Sequence, residues 1–157
     1  MERLAKFGLE VATDKTRIIP FGRFKDGKDK FDFLGFEFHN DKTIGGKYRT
    51  NIITSRKKLK AKRANAKEWI KMHMHDPLAN LCKSLNRELV GHYNYYGVNG
   101  NFESLVKFYK YVKYTLYRRL NRRDQKGKMK YEHFLRVWKY YIQEPSVKVD
   151  ILHWQIS

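Results

Sequence analysis

The residues able to do acid–base, nucleophilic or metal chemistry are few, and their spacing sets most of them aside. His73 and His75 invite a metal reading. Two positions apart on a helix, however, they point in different directions, and no third ligand stands nearby. Cys82 is the one cysteine in 157 residues. It lies beside a leucine stripe and reads as a small core residue, and a lone cysteine excludes a disulfide framework or a Cys-based zinc finger. Asp14, Asp26, Asp29, Asp32 and Asp41 are scattered among lysines, in turns and strand edges where a carboxylate is simply solvated. No paired Asp-Asp stands at a strand turn to hold two magnesium ions. Neither a glycine-rich phosphate loop nor Gly-x-Ser-x-Gly is present.

Charge is the stronger signal. Lys and Arg number 34 against 16 Asp and Glu, a formal net charge of +18. That points to a polyanionic partner. Eight of the basic residues fall in Ser55–His73, among them Arg56, Lys57, Lys58, Lys60, Lys62, Arg63 and Lys67. Ten more fall in Lys107–Lys130, including Arg118, Arg119, Arg122, Arg123, Lys126 and Lys128. Tyr109, Tyr111, Tyr114 and Tyr117 are interleaved with the second set. Lys and Arg neutralise phosphates, and rings stack on unpaired bases. An isolated charge run is usually a solvated helix face, but here nearby acids do not balance the excess. The expectation is a nucleic-acid-binding protein.

The elements that position these residues divide near residue 54. Hydrophobic residues make up 41% and aromatics 15%, enough for a real core rather than a disordered basic tail. The expected fold is α+β: a small antiparallel sheet within residues 1–53, then a mostly helical bundle over 54–157. Glu2 to Phe7 reads as the end of a helix stopped by Gly8, and Leu9–Val11 with Thr16–Phe21 as a hairpin. Lys30 to His39 is the clearest strand. Phe31 and Phe33 sit at odd positions and Phe36 and Phe38 at even ones, so one face can hold all four only across a bulge or tight turn at Leu34-Gly35. Gly45-Gly46 marks the next turn, and Tyr48 to Ile53 the returning strand.

A first helix is expected from Thr54 or Ser55 to about His75, with Leu59, Ala66, Ile70 and His73 inward. Asp76 should cap a second with Pro77 at its first position. That helix buries Leu78, Leu81, Leu85 and Leu89 and ends at Gly97 and Gly100. Asn101 should cap a third, burying Leu105, Phe108, Tyr109, Val112 and Leu116. After a break at Gly127, a fourth carries Tyr131, Phe134, Leu135, Trp138 and Tyr141 until Glu144-Pro145. From Val147 the tail is partly extended. No apolar run suits a membrane span and no signal peptide opens the chain, which suggests a cytoplasmic, reducing setting without a membrane partner.

Gly91-His92-Tyr93-Asn94-Tyr95-Tyr96-Gly97-Val98-Asn99-Gly100-Asn101 resembles the maturase (thumb, or X) domain signature of bacterial group II intron reverse transcriptases. The basic helix from Ser55 precedes it and the Tyr-rich basic helix from Ser104 follows, in the family's order. Gly8-Leu9-Glu10 with Asp14-Lys15-Thr16 resembles the last palm motif. Phe31-Asp32-Phe33-Leu34-Gly35-Phe36 is similar to the primer-grip strand, and Ile151-Leu152-His153 to the segment closing the maturase domain. The resemblance implies a palm remnant in residues 1–53 and a maturase domain in 54–157, together a C-terminal portion of such a protein. The catalytic Tyr-Ala-Asp-Asp turn and the Mg2+ it holds in the full-length enzymes are expected upstream of Met1.

On this resemblance the chain should bind intron RNA, aiding splicing, and template–primer duplex, without polymerising alone. Asn94 and Tyr95, off the leucine stripe, are expected to face RNA, whereas Tyr93 and Tyr96 should pack inward. Phe33, Leu34, Gly35 and Phe36 would form the grip. Lys15 is the weak catalytic candidate, matching a lysine that protonates pyrophosphate. No cofactor is expected in this portion. The alternatives are one half of a split active RNA-directed DNA polymerase, completed by a separate fingers–palm chain, or a general basic nucleic-acid-binding module or decayed remnant.

Overall fold

Aromatic alternation and two tight turns build the sheet. The computed structural model describes residues 6–8, 12, 16, 18–22, 30–123 and 127–150, without the side chain of Arg123. Strands β1 (Lys30–Phe33), β2 (Phe36–Lys42) and β3 (Tyr48–Thr54) pair antiparallel in the order β1-β2-β3. Phe33 pairs with Phe36 and Phe31 with Phe38. The stretch from Lys30 to His39 is therefore two strands, not one. Leu34 and Gly35 form a two-residue turn with φ of 49° and 84°, the double positive φ of a type I′ hairpin. This turn resolves the parity problem, because directly paired residues share a face. Phe31 stacks on Phe38 with centroids 5.0 Å apart. On the other face Lys30 pairs with Glu37 at 3.0 Å and Arg49 with Asp41 at 3.3 Å.

Upstream, the expected hairpin falls largely outside the described residues. Thr16 and residues 18–21, which are described, lie in no strand. Pro20 has no N–H to offer a ladder, and Phe21 instead meets Phe31 edge-on at 5.1 Å. Of the short helix expected to Phe7, residues 6–8 form a turn.

Four helices follow: α1 (Arg56–His73), α2 (Leu78–Tyr96), α3 (Phe102–Arg123) and α4 (Tyr131–Tyr141). Their apolar stripes meet in one core. Ile70 of α1, Leu81, Cys82, Leu85, Leu89 and Tyr93 of α2, and Leu105, Phe108, Val112 and Leu116 of α3 are buried there with Phe134 and Trp138 of α4. Trp138 donates its indole N–H to Tyr109 Oη at 2.7 Å, which satisfies the one polar atom that a buried indole brings. Leu78, Leu135 and Tyr141 are only half-buried, and Tyr131 is exposed. Among the described residues, no helix is long and apolar enough to cross a membrane.

The expected caps behave differently. Ser55 stands at the start of α1, but its hydroxyl donates to Asp32 Oδ2 at 2.7 Å instead of serving as an acceptor for the helix. Pro77, not Asp76, occupies the N-cap of α2, and its carbonyl accepts from Leu81 N. Asn101 turns its side chain away from α3. Its Oδ1 accepts from Thr54 N at 2.7 Å, and its Nδ2 donates to Thr54 Oγ1 and Tyr96 O, both at 2.8 Å.

One fully buried amide thus joins the end of β3, the end of α2 and the start of α3. It also sets the starts of α1 and α3 side by side, and further along Arg63 of α1 meets Tyr111 of α3, so these two helices run in the same direction. Beyond α4, the N–H groups of Lys148 and Val149 donate to Gly97 O, and Val149 bridges Val98 in parallel. Gly97 is buried under this crossing, where a Cβ would overlap the Tyr93 carbonyl oxygen. The expected closing segment Ile151-Leu152-His153 lies outside the described residues.

Candidate nucleic-acid interface

Arg56, Lys60, Arg63 and Lys67 recur at intervals of three and four, so they share one side of α1. That side faces Tyr111, Tyr114, Thr115, Arg118, Arg119 and Arg122 of α3. Two adjoining grooves run between the helices, with Lys67 and Tyr111 common to both. No Asp or Glu among the described residues lines either one. The rings hold the cations in place: the Arg63 guanidinium lies 5.3 Å from the Tyr111 centroid and that of Arg118 5.6 Å from the Tyr114 centroid. Such contacts restrict long side chains that would otherwise lose more freedom on binding. Arg63 Nε is buried without a partner. Tyr114 is 60% exposed, which leaves it free to stack on a base.

The structure divides the basic residues expected to act together. Lys58 and Lys62 lie on another side of α1, toward α2, where Lys62 meets Glu88 at 3.5 Å. Lys57 is exposed on α1, and Lys128 is exposed beyond α3. Arg123 is the last residue of α3, with its side chain outside the description, and Lys126 and Lys15 lie outside the described residues altogether. Asn94 is exposed on α2. Sequence reasoning passed over Arg87 and Gly91 as partners of Lys58 and Lys62; all four line one groove between α1 and α2. The signal for them was a basic residue four positions before a glycine, off the leucine stripe.

Phe33, Leu34, Gly35 and Phe36 form the β1–β2 turn, and α2 holds it. Tyr95 Oη donates to Leu34 O at 2.9 Å, and Ser55 N donates to Gly35 O at 2.9 Å. A Cβ on Gly35 would stand 2.6 Å from Tyr96 Oη, so only glycine permits this approach. Phe36 lies against the Tyr95 and Tyr96 rings, with centroids 6.1 and 5.1 Å away. Tyr95 is therefore exposed on one side yet tied to the turn on the other. Phe33 and Leu34 remain exposed at 59% and 66%.

Burial governs three of the perturbed groups. It pushes His92 down to about 4, with Lys62 adding to the effect, so the imidazole is neutral at ordinary pH. Burial also pushes the Cys82 thiol up to about 11 and raises Tyr93. His73 engages Trp69 O at 2.9 Å through Nδ1 and stacks on the Trp69 ring. Asp32, Glu37 and Asp41 are engaged by Ser55, Lys30 and Arg49, and among the described residues no three His, Cys, Asp or Glu side chains converge.

No family model, curated protein or solved structure matches the chain.

Proposed function

We propose that the chain is an RNA-binding thumb/maturase portion of a group II intron-encoded reverse transcriptase, acting on intron RNA and on template–primer duplex. The observation behind this is the convergence of Arg56, Lys60, Arg63 and Lys67 with Tyr111, Tyr114, Arg118, Arg119 and Arg122 on one face without a carboxylate in its lining. Two parallel helices presenting cations and rings together suit a phosphate backbone flanked by accessible bases. The intron assignment within that class draws on the Gly91 to Asn101 resemblance.

A salt-resolved titration tests it, comparing folded group II intron RNA with a scrambled RNA of equal length at roughly 50 and 200 mM salt. Both affinities should fall by about a thousandfold for six or more phosphate contacts. The folded intron should keep a clear advantage at the higher salt. Equal affinities there would reduce the chain to a general basic module.

A second reading, one half of a split RNA-directed DNA polymerase, draws on the outer side of β1. Among the described residues that strand pairs only with β2, and it ends in exposed Phe33 and Leu34. A fingers–palm chain could complete such an edge. Nucleotide incorporation only on mixing the two chains would favour this reading.

A further inference from the structure

Gly91 sits in the interior of α2, one of the least favourable places for glycine in a helix. At two other positions close contacts require glycine: Gly35 meets the Tyr96 hydroxyl and Gly97 meets backbone. At Gly91 nothing lies within 4 Å of an added Cβ, and the residue is exposed. Among the described residues, no contact accounts for the missing side chain. The space it leaves forms part of the groove between α1 and α2, where Ala61 is the other small residue.

Cations line the same groove. Lys58 and Lys62 come from α1 and Arg87 from α2, against one acid, Glu88, which Lys62 already pairs at 3.5 Å. His92, only 5% exposed, lines it as well, and its Nε2 has no hydrogen-bond partner. This groove is separate from the α1–α3 face, since Arg56, Lys60, Arg63 and Lys67 belong to other grooves.

We infer that the groove across Gly91 is a second nucleic-acid site, which takes the sugar–phosphate backbone of a single RNA strand between Lys58 and Lys62 on one side and Arg87 on the other. The missing side chain lets the strand approach the helix backbone, as glycine does at other close approaches to a ligand. The three cations neutralise its phosphates, and α1 is then flanked by RNA on two sides. The choice of RNA as the ligand rests on the proposed function; the location of the site does not.

The test uses the full chain, nitrogen-15 labelled, titrated with a short oligouridylate while backbone amides are followed by NMR. The amides of Gly91 and Arg87 should shift, along with those of Tyr114 to Arg122 on the other face. Gly91→Leu should weaken the response in the α1–α2 groove about tenfold, leave the α3 response in place, and keep the fold, because leucine is the better helix former. Glu88→Gln should strengthen binding in the groove by removing a carboxylate that faces the strand. Arg87→Gln should lower the salt slope there by about one contact's worth. Shifts confined to α3, or a folded Gly91→Leu chain that binds as the parent does, would overturn the inference and leave the α1–α3 reading standing. Shifts in the groove with none on α3 would do the reverse. Silence on both faces would overturn both.

Discussion

Tyr95 Oη donates to the Leu34 carbonyl oxygen at 2.9 Å, joining the last turn of α2 to the tip of the β1–β2 hairpin across sixty-one positions of sequence. The turn held in this way contains a strained residue, since Leu34 has φ of 49°. For a side chain with a Cβ that conformation costs about 1–2 kcal/mol. Leu34 is two-thirds exposed, so it recovers little through burial. Leu34→Asn should raise stability by about 1 kcal/mol, because Asn-Gly suits a type I′ turn; urea denaturation measures this. If the exposed leucine grips a primer terminus, the same variant should bind template–primer duplex less well. Higher stability with undiminished binding would remove the grip assignment.

Asn101 should prove the most sensitive polar position. Asn101→Ala leaves the Thr54 N–H and the Tyr96 carbonyl without their partner in a buried place. The loss should be about 3 kcal/mol in urea denaturation. A loss below about 1 kcal/mol would show that water replaces the amide.

Two glycines in one signature should respond with opposite signs. Gly97→Ala drives a Cβ into the Tyr93 carbonyl and toward Ser146, and should destabilise by about 2–3 kcal/mol. Gly91→Ala meets nothing and should stabilise by up to about 1 kcal/mol. Thermal denaturation of the pair checks this.

Acid should weaken the fold through His92. Its folded pKa, about 4, lies below the ordinary 6.5, so the unfolded chain binds the proton first as pH falls. Stability from this group is complete above pH 6.5 and is lost progressively between 6.5 and about 4. The total is at most about 3 kcal/mol. His92→Phe, among the rings of Tyr96 and Phe108, should flatten the difference between denaturation curves at pH 7 and pH 4.5. An unchanged pH dependence in that variant would assign the acid sensitivity elsewhere.

Replacing Arg118, Arg119 and Arg122 with Gln should weaken RNA binding and lower its salt slope by about two to three, as three phosphate contacts are lost. Unchanged affinity with an intact fold would exclude this cluster as a binding surface.

Much of the architecture was legible because it depends on local period. Leu81, Leu85 and Leu89, and Leu105, Phe108, Val112 and Leu116, are buried where helical spacing put them. The parity of four phenylalanines located the Leu34-Gly35 turn, although it left bulge and hairpin equal until the register was known. The caps were not legible. Ser55 and Asn101 have the residue types that close a helix locally, but tertiary partners, Asp32 and Thr54, take their side chains. Nor could the charge runs be divided between faces, because that depends on α3 covering one side of α1 and α2 another. Tyr95 is off the stripe, as its spacing implies, yet its hydroxyl partner lies in a hairpin turn that sequence proximity does not connect to it.

The shared direction of α1 and α3 has an electrostatic consequence. Peptide dipoles in neighbouring antiparallel helices largely cancel; in these two they add. Both negative ends fall at the end of the bundle that holds Lys71 in the last turn of α1 and Arg122 in the last turn of α3. Each such cation gains about 0.3–1 kcal/mol from a helix terminus, which offsets part of the repulsion that crowding them creates. On the proposed function, the charges offered to a polyanion therefore also stabilise the helix ends that display them. Stripping the cluster should loosen those ends as well as the grip on RNA.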